Sequence, residues 1–99
     1  MYLVVFRNRK RADIDAGAYA ADNAAMEALA ARQPGYLSFK SFVADDGEVV
    51  AISEWKDRAA AKAWRKAAEH AQVQARSRRQ YYAEYRVMTC EDPDEHRWP

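Results

Sequence analysis

Three residues in this chain are of a type and placement that could do chemistry on a bound ring: Asn8, Trp64 and His70. Trp64 and His70 sit six residues apart in RAAAKAWRKAAEHAQVQ, an alanine-rich run that predicts a helix. On a helical wheel Ala60, Ala63, Ala67, His70, Ala71 and Gln74 share a sector with Trp64, while Lys62, Arg65, Lys66 and Glu69 fall outside it. One large aromatic among small neighbours leaves volume, so that face could wall a pocket, with His70 placed to accept or donate a proton. The same pattern also describes an ordinary core, where a lone histidine is a satisfied buried group and a tryptophan is packing. Asn8 ends an otherwise apolar strand face, Tyr2-Val4-Phe6, where its carboxamide either points into a cavity or prepares a turn.

The elements that must position these groups follow in chain order. Tyr2 to Asn8 or Arg9 is β-branched and aromatic and predicts a first strand. Asp13 and Asp15 are N-cap candidates for a helix over 16–32, which Gln33-Pro34-Gly35 stops. Tyr36–Val43 is a second strand; alternation sets Leu37, Phe39, Ser41 and Val43 on one face, opposite Tyr36, Ser38, Lys40 and Phe42. Asp45-Asp46-Gly47 predicts a tight turn into a third strand, Glu48–Trp55, so these two strands pair antiparallel. Asp57 caps the second helix, and Arg76–Gln80 is read as its exit loop. Tyr81–Cys90 alternates as a last strand with Tyr81, Ala83, Tyr85, Val87 and Thr89 on one face. Residues 1–91 then form a single domain, and the acidic, proline-bearing 92–99 a C-terminal tail.

The order β-α-β-β-α-β is that of a ferredoxin-like α+β fold: a four-stranded antiparallel sheet with both helices on one face. Apolar residues on both sides of several strands, such as Val49 and Val50, leave a second sheet face to be covered. A homodimer is expected to cover it.

Composition narrows the function classes. Ninety-nine residues with a formal charge of +1 and scattered basic residues do not make a nucleic-acid surface. Cys90 is the lone cysteine, which excludes an intrachain disulfide and fits a reducing, cytoplasmic compartment; it is expected to be a small buried hydrophobe. No apolar run reaches the ~20 residues of a membrane-spanning helix, and no membrane association is expected. Glu54 and Glu84 are expected to pair with Arg7 or Arg86 across the sheet. The sequence carries no metal-ligand cluster and no glycine-rich nucleotide loop, so no cofactor is called for by motif.

The pieces PGYLSFKSF, DGEVVAISEWKDRAAAKAW, EHAQ and YYAEYRV together resemble the antibiotic biosynthesis monooxygenase family, from about Tyr2 to Cys90. The resemblance implies a dimeric α/β barrel. Some characterised relatives oxidise anthrone or quinol-type aromatics with molecular oxygen and without metal or flavin; some degrade haem; one branch isomerises a small phosphorylated signal molecule. Fold membership does not choose among these.

Three readings of the site result. In the first, a cofactor-independent monooxygenase acts on a small aromatic, quinol- or anthrone-like substrate with molecular oxygen. Trp64 then walls the pocket, His70 is base or hydrogen-bond donor, and Asn8 is the polar partner of an oxyanion. Tyr36, Phe42 and Tyr85 are the candidate lining residues of that pocket. In the second, haem degradation, the resemblance assigns roles to Asn8 and Trp64, but the axial histidine belongs ten residues beyond the tryptophan, where Gln74 stands; His70 is only six beyond. Glutamine is a poor iron ligand, which disfavours haem. In the third, the protein is a non-enzymatic ligand-binding or structural dimer in which Trp64 and His70 are core.

Overall fold

The computed structural model describes residues 1–70 and 81–99, with the side chains of Glu69 and His70 outside the described set. Its elements are β1 (Tyr2–Lys10), α1 (Ala16–Ala31), β2 (Tyr36–Val43), β3 (Val49–Trp55), α2 (Arg58–His70) and β4 (Tyr82–Glu91). All strand pairings are antiparallel and the sheet order is β2-β3-β1-β4. This is the expected ferredoxin-like arrangement.

Local chemistry sets the boundaries. Asp15, not Asp13, caps α1: its Oδ1 accepts from the Ala18 N–H at 3.0 Å, while Asp13 pairs with Arg11. Asp57 Oδ1 accepts from the Ala60 N–H at 2.8 Å and opens α2 in the same way. Gly47, at φ +89°, turns β2 into β3, and the Gly47 N–H donates to the Ala44 carbonyl at 2.9 Å. Gly35, at φ +84°, brings the start of β2 against α2 so closely that a Cβ there would lie 2.6 Å from the Ala60 Cβ. The Gly35 carbonyl also accepts from the Lys56 N–H at 2.8 Å, tying that corner to the exit of β3.

Two β-bulges change which aromatic side chains face the helices. On β2, Tyr36 lies opposite Trp55 and Ser38 opposite Glu54, so Leu37 is the extra residue. Strict alternation groups Tyr36 with Phe42; the bulge instead turns Tyr36 to the helix side, where its ring meets Trp55 edge-on at 5.7 Å. On β4, Glu84 lies opposite Arg9 and Tyr82 opposite Lys10, leaving Ala83 unpaired. Tyr82 therefore joins Tyr85, Val87 and Thr89 on the helix side, the place alternation gave to Ala83.

The helix-side face carries Tyr2, Val4, Phe6 and Asn8 of β1 against Trp55, Ser53, Ala51 and Val49 of β3. At its Tyr2 end Ala30, Trp55 and Ala61 form the packed core, joined by Tyr2, Val4, Tyr36, Ala60 and Trp64. Leu3, Val5, Val50, Ile52, Phe42, Met88 and Cys90 occupy the opposite face. Phe42 and Met88 are exposed there, and so is Cys90, contrary to the expectation of a buried thiol; β4 is an edge strand that no other described element covers on that face. Among the charged pairs, Arg7 takes Glu48 at 2.7 Å, Glu84 reaches Arg9 at 3.4 Å, and Glu54 accepts from the Ser38 hydroxyl. No helix among the described residues is long and apolar enough to cross a membrane.

Candidate active site

Between the sheet and the two helices lies a cavity of about 460 Å³ that runs along β1 from Tyr2 to Asn8. The six steps of strand from Tyr2 to Asn8 span roughly 20 Å, long enough to take a fused-ring molecule. Well-packed interiors keep few voids larger than a water molecule, and a cavity of this volume falls in the range of ligand pockets.

One end is closed by indoles. Trp55 is fully buried, and its Nε1–H donates to the Ser53 hydroxyl oxygen at 3.0 Å. Trp64 of α2 stacks on it with ring centroids 5.9 Å apart and planes inclined by 17°. Trp55 is thus held by packing and by a hydrogen bond, and in turn holds Trp64, which lines the cavity. An immobilised indole offers a flat apolar surface to a ring at little entropic cost.

The other end is a ring cluster. Phe6 meets Tyr82 edge-on at 5.4 Å and Tyr85 at 5.6 Å, and Tyr82 and Tyr85 lie 6.0 Å apart. Tyr19 of α1 meets Tyr81 edge-on at 5.3 Å, and the Tyr81 hydroxyl donates to Asp22 Oδ2 at 2.7 Å. Burial, reinforced by the neighbouring Tyr19 and Tyr81, pushes the Tyr82 phenol well above its ordinary value. Its hydroxyl is therefore a neutral donor throughout the physiological range.

Asn8 stands among these rings. It is only 3% exposed, and its Oδ1 is the one buried side-chain oxygen or nitrogen among the described residues without a hydrogen-bond partner. Leaving such an atom unsatisfied costs about 1–3 kcal/mol, a cost that a ligand's O–H or N–H donor would remove. The carboxamide carries both an acceptor and donors, so the same group suits a neutral phenol through Oδ1 and its oxyanion through Nδ2.

Of the residues singled out from the sequence, Asn8, Trp64 and Tyr85 all line this cavity. Tyr36 instead supports the indole pair from behind through Trp55. Phe42 is a correction: it pairs with Val50 on the far face of the sheet and is 49% exposed, so Phe39 and Ser41 line the cavity in its place. His70 is the last described residue of α2, but its side chain lies outside the described residues, as does Gln74, and with them the haem question. Among the described residues no group of His, Cys, Asp and Glu side chains could hold a metal ion.

The sequence reading missed two sets of lining residues. Tyr82 was hidden by the bulge at Ala83. Arg58, Lys62 and Arg65 also line the cavity, although the wheel centred on Trp64 set Lys62 and Arg65 outside the buried sector. Their i, i+4, i+7 spacing was the available signal: it makes a continuous stripe beside the tryptophan.

Comparison with known proteins adds the family. The sequence profile of the antibiotic biosynthesis monooxygenase family matches residues 1–76. An uncharacterised protein of Bacillus subtilis (strain 168), YqjZ, is 34% identical over 89 residues, spanning 90% of this chain and 76% of that protein. A variant of SnoaB, a cofactor-independent oxygenase from Streptomyces nogalater, superposes with a TM-score of 0.78 at 18% identity, over 95% of this chain and 94% of its own. A conserved protein from Methanosarcina mazei Go1 gives 0.79 at 10% identity, over 93% and 92%. At these identities the structural likeness establishes the fold.

Proposed function

This chain belongs to the antibiotic biosynthesis monooxygenase family, and we propose that it is a cofactor-independent monooxygenase acting on a small quinol- or anthrone-like substrate. The observation that carries the reading is the buried, unpartnered Asn8 Oδ1 inside a ring-lined cavity that Trp64 closes. The likeness to SnoaB, a cofactor-independent oxygenase, supports it.

The chemistry asks little of the protein beyond binding, charge stabilisation and exclusion of bulk water. An anthrone that loses its acidic C–H proton becomes an electron-rich enolate. The enolate gives one electron to molecular oxygen, and the resulting radical pair combines to form a C–O bond. The peroxide, once protonated, breaks its O–O bond and loses water, leaving a carbonyl where the CH2 was. Both oxygen atoms are accounted for, one in the quinone and one in water, and no external reductant enters. Asn8 and the neutral Tyr82 hydroxyl stabilise the developing oxyanion, and Trp64 holds the ring plane. His70, by its place on α2, is the proposed proton acceptor.

The protein is further proposed to act as a cytoplasmic homodimer. The uncovered sheet face with Leu3, Val5, Val50, Ile52, Phe42 and Met88 supports pairing with a second copy. A lone exposed thiol suits a reducing compartment. Light scattering is expected to give twice the chain mass; a monomer at micromolar concentration would rule the pairing out.

Oxygen uptake by the metal-free protein with a panel of anthrones and hydroquinones tests the activity. Protein-dependent uptake is expected, reduced at least about 100-fold in Trp64→Ala, the scale of losing ring positioning. Uptake that is absent across the panel, or unchanged in Trp64→Ala, would remove this reading.

A further inference from the structure

The arginines along β1 and the cations of α2 are arranged differently. On β1 and just beyond it, Arg7, Arg9 and Arg11 are each committed to a carboxylate: Glu48 at 2.7 Å, Asp46 at 2.7 Å and Asp13 at 3.0 Å. On α2, Arg58, Lys62 and Arg65 line the cavity, and none of them makes an ion pair or hydrogen bond with another described residue. Against these three cations the described lining residues include a single carboxylate, Asp22, and its Oδ2 already accepts from the Tyr81 hydroxyl. The wall formed by α2 therefore presents exposed cations beside apolar rings, with no carboxylate paired to them among the described residues. Low-dielectric walls focus such a field into a cleft instead of letting it spread into solvent. Elsewhere in the cavity, the buried Asn8 Oδ1 waits for a hydrogen-bond donor.

We infer that the cavity selects aromatic hydroxy acids: the carboxylate is held by the Arg58–Lys62–Arg65 face of α2, and a hydroxyl on the far side of the ring system is presented to Asn8. This rests on the cavity being the ring site proposed above, and it adds the charge and orientation of the substrate. A guanidinium fork matches a carboxylate in two parallel hydrogen bonds. Fixing the acid at α2 aligns the hydroxyl-bearing ring with Asn8, Tyr82 and Tyr85, where the oxyanion develops.

The test is calorimetric titration under nitrogen, so that binding is read without turnover. The probes are naphthol and a hydroxynaphthoate whose hydroxyl and carboxylate are on opposite rings. The hydroxynaphthoate is expected to bind about tenfold or more tightly than naphthol at low salt, a difference of roughly 1.4 kcal/mol, and the preference is expected to shrink as salt rises. Lys62→Glu combined with Arg65→Glu should abolish that preference, and an unchanged circular-dichroism spectrum and unfolding midpoint show that the variant is folded. Lys66→Glu, the same charge change on α2 but outside the cavity lining, should leave the preference intact. Equal affinity for the two probes overturns the inference, as does a preference that survives the double substitution or falls equally in Lys66→Glu. If neither probe binds, the ring site itself is lost along with it. A carboxylate preference without oxygen uptake would sustain the binding inference and remove the oxygenase. Uptake without the preference would do the reverse.

Discussion

Two polar residues, Asn8 and Ser53, are buried among the described residues, and they lie on the same face of the sheet with opposite fates. Ser53 is satisfied: the Trp55 indole N–H donates to its hydroxyl at 3.0 Å, and around that bond Ala30, Trp55 and Ala61 pack into the core. Asn8 is at the other end of β1 with its oxygen unpartnered, although both residues line the same cavity. A buried group that already has a partner within the protein contributes to stability and has less to offer a ligand. A buried group left incomplete costs stability unless something arrives to complete it, and such conflicts gather at functional sites. The Ser53 bond helps to hold the fold together; the open Asn8 oxygen is what the proposed ligand would complete.

The contrast breaks most visibly at Trp55. Trp55→Ala removes the largest fully buried side chain, the donor to Ser53 and the platform under Trp64. We expect a loss of about 3–5 kcal/mol in denaturant unfolding, a large part of the 5–15 kcal/mol typical of a domain. Trp64→Ala should cost clearly less, since Trp64 is only half-buried and its loss widens an existing cavity. Equal losses at the two positions would mean that Trp64 belongs to the core and not to the site.

Asn8→Leu sharpens the comparison in the other direction. Replacing an unsatisfied buried amide by an apolar side chain of similar shape removes a desolvation cost. The variant is expected to be more stable than the parent by about 1 kcal/mol, while losing oxygen uptake and affinity for hydroxyl-bearing rings. Stability gained together with function lost is the signature of a strained site. If Asn8→Leu unfolds the protein instead, Asn8 is a structural residue like Ser53.

Much of this was legible in the sequence, and the failures have a common cause. Alternation, the Pro34-Gly35 stop, the Asp46-Gly47 turn and aspartate caps are local signals, and local signals fix elements and their order. The topology followed, with Asn8, Trp64 and Tyr85 on the helix side. What alternation could not supply was the register of individual residues past a bulge. Leu37 and Ala83 carry no marker of their roles, yet each flips the face of the strand end beyond it. That is why Tyr36 and Tyr82 face the helices, and Phe42 was assigned to a pocket that Phe39 and Ser41 line. The α2 cations were misjudged for a related reason: long basic side chains at the margin of an apolar sector can reach a cavity that the wheel places beside them.

Tyr82 gives the smallest effect and tests the ring cluster directly. The fold holds its phenol protonated above the ordinary tyrosine value of about 10, chiefly through burial and also through Tyr19. Above that ordinary value the unfolded chain gives up its proton while the folded one keeps it, so rising pH favours unfolding. The contribution is whole below about pH 10 and is lost as pH climbs toward the folded value. Each pH unit can cost at most roughly 1.4 kcal/mol, and partial solvent access reduces this to a fraction. Tyr82→Phe should therefore flatten the fall in stability between about pH 10 and 12, and leave stability near pH 7 almost unchanged. The comparison is made as the difference between variant and parent, because lysines and the other tyrosines titrate in the same range. A variant as alkali-sensitive as the parent would mean that Tyr82 is open to solvent. The Asn8 end of the sheet would then lack the dry ring cluster that sets it apart from an ordinary surface cleft.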